Sequence, residues 1–121
     1  MTGAAFNLDG LRMTATVTAP GGAINAETVF EFTQDDGVAE ARYAGGRVRI
    51  GRLVGFVRGA RFEFRYAQVH DDGTLHGGRS ACDLERAEDG RVRIVEHYEW
   101  DDGGAGVNVI EELRRDTDAK A

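Results

Sequence analysis

The sequence predicts an all-β protein in which eight antiparallel strands follow one another as a meander and close into a small barrel. The 17 glycines fall at the ends of short runs in which apolar and polar residues alternate, the pattern of half-buried strands. Asp-Gly or Gly-Gly pairs separate most of these runs and favour the tight turns of β-hairpins. Because closing a meander removes its exposed edges, we expect a barrel.

The order of the strands follows from the alternating runs taken along the chain. Turns recur at a spacing of about 8–12 residues, which predicts that each strand pairs with the next. The last run also has apolar residues at helical spacing, but its β-branched start and the preceding Asp-Asp-Gly-Gly turn favour a strand. The candidate strands are 12–19, 27–34, 38–44, 47–58, 61–70, 74–85, 91–100 and 106–114.

The length of the chain fits one domain, residues 1–121, with residues 1–10 and 115–121 as flexible ends. Its beginning lacks the basic and apolar regions of a secretory signal. The single cysteine, Cys82, cannot form an internal disulfide, so we expect a cytoplasmic protein. No apolar run approaches the ~20 residues needed to cross a bilayer, so we expect no membrane span.

The charge distribution argues against nucleic-acid binding. The net charge of −6 lies in the second half of the chain. Residues 1–60 have six basic and six acidic side chains, whereas residues 61–121 have nine basic and fifteen acidic ones. Phosphate backbones would be repelled. The glycines form no phosphate-binding loop, and His70 with His76 is an incomplete metal-ligand set, so we expect neither a cofactor nor a metal.

The inward faces of the strands are aromatic but not purely apolar. In residues 61–70 one face carries Phe62, Phe64, Tyr66 and Gln68, while charged residues dominate the other. The strand 47–58 has a less regular pattern, and its glycines at 51 and 55 suggest bulges or bends. The predicted interior comprises Phe30, Phe32, Tyr43, Phe62, Phe64, Tyr66, Gln68, Glu96, Tyr98 and Trp100.

Glu96 is the most informative of these residues, because it lies between Ile94 and Tyr98 on an otherwise apolar face. An aromatic cavity would raise the pKa of the Glu96 carboxyl and suit it to acid–base chemistry. The alternatives are an ion pair with an inward arginine or a position near the open barrel end. A merely packed core would need neither this carboxylate nor Gln68.

These residues predict a barrel that binds a small, largely apolar organic ligand. If it is an enzyme, we expect cofactor-independent isomerisation or cyclisation by proton transfer, with Glu96, Tyr66 and Tyr98 as catalytic residues. The alternative is a structural or interaction protein with a filled core, and a homodimer belongs to this alternative. The remaining ligand-binding candidates are Tyr43, Phe30, Phe32, Phe64, Gln68 and Trp100.

From residue 27 to 113 the chain resembles a family of small bacterial proteins that often carry the name N-acetylglutamate synthase. The stretches that match are ETVFEFTQ, YAGGRVRIGRLVG, FRYAQVHDDGTLHGG and GRVRIVEHYEWDDGGAGVNVIEEL. The resemblance implies a β-barrel of the calycin or avidin kind, and its pattern includes Tyr43, Tyr66, Gln68, Glu96 and Trp100. Transfer from acetyl-CoA needs a pyrophosphate site, usually at a helix N-terminus, so we do not expect the activity in the name.

Overall fold

A computed structural model, which describes residues 6–20 and 22–113, confirms the eight-stranded barrel. The described residues contain strands and turns and no helix. Accordingly, no helix in this part of the chain is long and apolar enough to cross a membrane. The strands are β1 Arg12–Val17, β2 Val29–Asp35, β3 Val38–Gly45, β4 Val48–Arg58, β5 Arg61–His70, β6 Leu75–Arg86, β7 Val92–Trp100 and β8 Ala105–Glu112.

The strands form one closed sheet in sequence order. Each strand pairs antiparallel with the next, and β8 pairs with β1 to close the barrel. The predicted boundaries agree with the observed ones to within a few residues, and the last run is a strand, as its β-branched residues indicated. The register places Gln68 of β5 beside Gly51 of β4, and Glu96 of β7 beside both Cys82 and Asn108.

The predicted inward faces are the buried faces. Phe30, Phe62 and Gln68 are at most 1% exposed, and Glu96 is 4% exposed. We predicted bulges or bends at Gly51 and Gly55. The register of β4 is irregular just before Gly51, where its pairing with β3 shifts between Val48 and Gly51 and its pairing with β5 shifts between Val48 and Ile50. At Gly55 the register is regular on both sides.

One end of the barrel is closed by the segment that precedes β1. Phe6, Leu8 and Leu11 are buried in the core, and the Leu8 N–H donates a 2.9 Å hydrogen bond to Gln34 Oε1. The guanidinium carbon of Arg86 lies over the Phe6 ring, 5.1 Å from the ring centroid. Phe6 and Leu8 therefore pack against the barrel, although they fall within residues 1–10, which we predicted to be a flexible end. Residues 1–5 and 115–121 of the predicted ends lie outside the described residues.

The opposite end of the barrel carries the longer connection between β1 and β2, together with the turns that follow β3, β5 and β7. Inside this end, the buried side chains become polar, as in Gln68, Glu96 and Asn108. The fold therefore has one end sealed by apolar side chains and one end where polar groups are brought together. We call the second the open end.

Candidate functional site

A pocket lies inside the open end of the barrel. Aromatic side chains line much of its wall, Glu96 and Asn108 supply polar atoms, and the β1–β2 connection adds Ala23 and Ile24. The space open to the centre of a water-sized sphere is about 20 Å³, and about 10–15 Å³ in this measure holds one water molecule. The lining residues are Gly22, Ala23, Ile24, Phe30, Tyr43, Leu53, Phe64, Tyr66, Gln68, Glu96, Tyr98, Trp100 and Asn108.

Most of the residues predicted for the site meet at this pocket. Phe32 does not line it, although it was a ligand-binding candidate. Its ring lies deeper in the barrel, 6.3 Å from the Phe30 ring and 6.2 Å from the Phe62 ring, so Phe32 belongs to the core. The predicted residues that do line the pocket are Glu96, Tyr66, Tyr98, Tyr43, Phe30, Phe64, Gln68 and Trp100.

The Glu96 carboxylate is held by two neutral side chains from the strands on either side of β7. Ser80 Oγ donates a hydrogen bond of 2.6 Å to Glu96 Oε2, and Asn108 Nδ2 donates one of 3.0 Å to Oε1. Ser80 and Asn108 are each 5% exposed. Within the described residues no arginine forms an ion pair with Glu96, so the predicted alternative of an arginine partner is wrong.

Burial decides the protonation of the groups around this carboxyl. Desolvation raises the pKa of Glu96 above its ordinary value, and the hydrogen bonds from Ser80 and Asn108 oppose the shift only in part. Desolvation also raises the pKa of Tyr43 and of Tyr66, and the charge of Glu96 adds to both shifts. These hydroxyls therefore remain protonated and can donate hydrogen bonds at neutral pH.

A separate series of hydrogen-bonded side chains runs from the interior of the barrel to its rim. The Tyr43 hydroxyl donates a 2.7 Å hydrogen bond to Gln68 Oε1, and Gln68 Nε2 lies 2.9 Å from His70 Nε2. Because Gln68 Oε1 accepts a hydrogen bond from Tyr43, the amide N–H groups of Gln68 face His70. His70 Nε2 can accept a hydrogen bond from this amide only when it carries no proton. Desolvation, followed by the nearby His76, lowers the pKa of His70, which agrees with a neutral ring.

Trp100 stands at the rim in a cluster of aromatic rings. Its ring centroid lies 5.3 Å from that of Tyr66 and 5.8 Å from that of Tyr98, and both pairs are edge-to-face. The rings of His70 and His76 stack at 4.4 Å and also meet Trp100 edge-on. The rim of the pocket is therefore an aromatic surface with a single tryptophan at its centre.

Each tyrosine of the pocket lies across a glycine on the neighbouring strand. Tyr43 pairs with Gly51 in the register, and a Cβ at Gly51 would overlap the Tyr43 ring. Tyr66 is related to Gly78 in the same way, and Tyr98 to Gly106. The glycines leave room for the rings to lean over the sheet, which positions the tyrosine hydroxyls at the pocket.

The two residues that hold Glu96 were not among the site residues predicted from the sequence. Ser80 and Asn108 share the inward faces of β6 and β8 with apolar residues, and this alternation was a signal that could have found them. Their contact with Glu96 depends on the registers of β6 with β7 and of β7 with β8, which no motif specifies.

Other reactive groups in the described residues form no separate site. No group of three or more His, Cys, Asp or Glu side chains there is placed to hold a metal ion. Cys82 is fully buried, and desolvation, followed by the charge of Glu96, raises the pKa of its thiol. A thiol kept protonated in this way is a poor nucleophile, so Cys82 acts as a packing residue.

Comparison with known proteins agrees with the barrel and extends over nearly all of the described chain. Residues 6–113 match the sequence profile of the family described as "Avidin-like protein". No curated protein and no solved structure gives a significant match. The avidin-like barrel that the sequence resemblance implied is confirmed by this match and by the closed eight-stranded sheet. The chain therefore belongs to the avidin-like protein family.

Proposed function

We propose that the protein binds a small organic molecule in the pocket at the open end of its barrel. The observation that carries the proposal is Glu96, a carboxyl that is 4% exposed, lines the pocket and has only neutral hydrogen-bond partners. Burying such a group without a counter-ion costs stability. A protein retains a group of this kind most readily where it contacts a ligand.

The rest of the pocket supports a partly apolar ligand. Phe30, Phe64 and Leu53 supply an apolar wall, whereas Tyr66 and Tyr98 offer hydroxyls close enough to Glu96 to respond to its charge. Pockets for small molecules combine an apolar lining with a few convergent polar groups in this way. The avidin-like barrel is compatible with small-ligand binding, because eight strands enclose an interior that can hold one small molecule.

The occupied pocket must be larger than the space of about 20 Å³ in the described structure, because that space holds about one water molecule. Ile24 is the side chain best placed to make room. It is half-buried, lines the pocket from the β1–β2 connection and belongs to no strand. We propose that Ile24 moves aside when the ligand enters.

Fluorescence of the single tryptophan, Trp100, tests the proposal because this residue is in the pocket wall. The protein is titrated with single-ring probes, beginning with benzylamine, benzyl alcohol and benzoate. We expect saturable changes in Trp100 emission for at least one probe, and tighter binding by Ile24→Ala. The matched control is Ile50→Ala, which removes an exposed side chain outside the pocket. Absence of saturable binding in all three proteins would contradict the proposal.

A second candidate function is proton transfer, favoured by the raised pKa of Glu96 beside protonated tyrosine hydroxyls. Glu96 would exchange a proton with the ligand, and Tyr66 or Tyr98 would stabilise a developing oxyanion. A nitrobenzisoxazole, whose ring opens when a base removes its C–H proton, serves as the probe. Turnover that is lost in Glu96→Gln with binding retained supports catalysis, and equal turnover by both proteins contradicts it.

The small volume of the pocket favours one alternative, a structural or interaction protein with a filled barrel. Val54 and Phe56, exposed by 57% and 53%, would then be the centre of a contact between two copies of the chain. Light scattering tests the homodimer within this alternative. A dimer that Phe56→Ser dissociates supports it, and a monomer at all concentrations contradicts it. The cytoplasmic location expected from the sequence remains a prediction.

A further inference from the structure

We infer that the pocket selects a small organic cation, an amine or ammonium group carried on an apolar body. The inference rests on the proposed function and adds the charge of the ligand to it. It is carried by the combination of one buried carboxylate, an aromatic wall and the absence of basic side chains among the described residues that line the pocket.

The carboxylate provides the counter-ion that a cation requires. Glu96 already accepts one hydrogen bond at each oxygen, from Ser80 and Asn108, and a carboxylate has lone pairs for further donors. An incoming ammonium group can therefore donate to Glu96 without displacing either partner. Where Glu96 is protonated in the free protein, its proton passes to the solvent when the cation binds, so the buried site keeps one positive and one negative charge.

The aromatic rings favour the same class of ligand. Tyr66, Tyr98 and Trp100 line the pocket. The centroid of the Trp100 ring lies 5.3 Å from that of Tyr66 and 5.8 Å from that of Tyr98. Faces of tyrosine and tryptophan rings attract cations, and the attraction increases when the cation is desolvated. His70 adds no competing positive charge, because its Nε2 accepts a hydrogen bond from Gln68 in the neutral ring.

The rim of the open end also disfavours anions. The carboxylates of Asp101 and Asp102 lie near enough to Tyr66 to raise the pKa of its hydroxyl, and those of Asp71 and Asp72 act on His70. Arg47 Nε lies 3.6 Å from Asp71 Oδ1, so the positive charge of Arg47 offsets part of the negative charge of these carboxylates. An acidic rim attracts cations and repels carboxylates and phosphates on their way to the pocket.

Three probes with the same ring test the inference on the unmodified protein: benzylamine, benzyl alcohol and benzoate, each followed by Trp100 fluorescence. We expect benzylamine to bind at least about 10-fold more tightly than benzyl alcohol, the effect of one hydrogen bond to a charged group. We expect benzoate not to bind. Equal or tighter binding of the alcohol or of benzoate overturns the inference and leaves the proposed function standing. Failure of all three probes to bind the unmodified protein, Ile24→Ala and Ile50→Ala overturns the proposed function.

Two variants locate the effect at Glu96. Glu96→Gln keeps the shape of the side chain and removes its charge, so it should abolish the preference for benzylamine over benzyl alcohol. The control is Glu99→Gln, which removes an outward carboxylate that pairs with Arg79 at the surface. The assignment to Glu96 is contradicted if Glu96→Gln still prefers benzylamine over benzyl alcohol. It is also contradicted if Glu99→Gln is the variant that loses this preference. Binding of benzyl alcohol by Glu96→Gln shows that the variant pocket is folded.

Discussion

At the scale of single residues, the site depends on a carboxyl whose burial disfavours its charged form. Glu96 is the one acidic side chain among the buried residues of the described chain, and its hydrogen bonds come from uncharged donors. The raised pKa of Glu96 means that the native state binds its proton more tightly than the unfolded state does. The contribution of Glu96 to stability is therefore greatest at acidic pH and is lost as pH rises through the raised pKa.

We predict that Glu96→Gln stabilises the protein at pH 8 by about 1–3 kcal/mol, the usual cost of leaving a buried polar group incompletely compensated. The gain should be smaller at pH 5, where native Glu96 is more fully protonated. Urea denaturation of both proteins at the two pH values measures the difference. Glu99→Gln serves as the control for loss of a surface charge. A loss of stability at pH 8 would show that the native carboxylate is favourably paired.

The inward orientation of Glu96 could be predicted from the alternation of apolar and polar residues within its own strand, because no other strand is needed to assign the face. Its partners could not be predicted in the same way. Ser80 and Asn108 reach Glu96 only because three strands align in a particular register. Register follows from turn geometry together with the hydrophobic patterns of both paired strands, so one strand alone does not determine it. The sequence left open whether Glu96 faces an aromatic cavity or pairs with an inward arginine, and tertiary structure decides between the two.

At the scale of elements, pairs of strands position the tyrosines by placing a glycine beneath each ring. The alternating pattern predicted that Tyr43 points inward, and Gly51 was predicted to mark a bulge or bend in β4. In the structure, Gly51 provides space for the Tyr43 ring, whose hydroxyl then meets Gln68. A strand glycine has this meaning only when its cross-strand neighbour is known.

We predict that Gly51→Ala destabilises the protein by about 1–3 kcal/mol, because the new methyl group overlaps the Tyr43 ring. Tyr43→Ala should remove most of this penalty, so the two substitutions should be coupled rather than additive. Urea denaturation of the two single variants and the double variant completes the cycle. Equal costs of Gly51→Ala in the presence and absence of the tyrosine ring would contradict the proposed steric role of this glycine.

The segment before β1 is an element that the strand pattern did not reveal. Three apolar residues in an otherwise irregular stretch gave too little periodicity to indicate burial, yet Phe6, Leu8 and Leu11 complete the core at the closed end. Their position depends on contacts distant in sequence, such as the hydrogen bond from Leu8 to Gln34. The secondary-structure propensities of residues in a short segment do not indicate which distant residues the segment will contact.

We predict that Leu8→Ala destabilises the protein by about 2–5 kcal/mol, the usual cost of truncating a buried leucine. Leu75→Ala is the control, because Leu75 is 71% exposed and should change stability by less than about 0.5 kcal/mol. Thermal unfolding of the two variants measures both effects. Similar unfolding temperatures for the two would mean that the segment before β1 does not close the barrel.

At the scale of the whole molecule, the barrel divides packing and chemistry between its two ends. Ile94, Ile110 and Leu84 are buried alongside the segment that closes one end, whereas Glu96, Gln68 and Asn108 lie towards the other. The closed sheet holds both sets rigidly because every strand has two hydrogen-bonded neighbours. A stable core can therefore support a pocket whose buried carboxyl would otherwise be too costly.

A crystal structure of the protein soaked with benzylamine tests this account most directly. We expect density for the ring between Trp100 and Phe64, with Ile24 moved from the pocket and the amine nitrogen about 3 Å from a Glu96 oxygen. The opposite result is a pocket without benzylamine density, with Ile24 in its present position and the ligand absent or bound elsewhere. That result would mean that the open end is a filled part of the barrel.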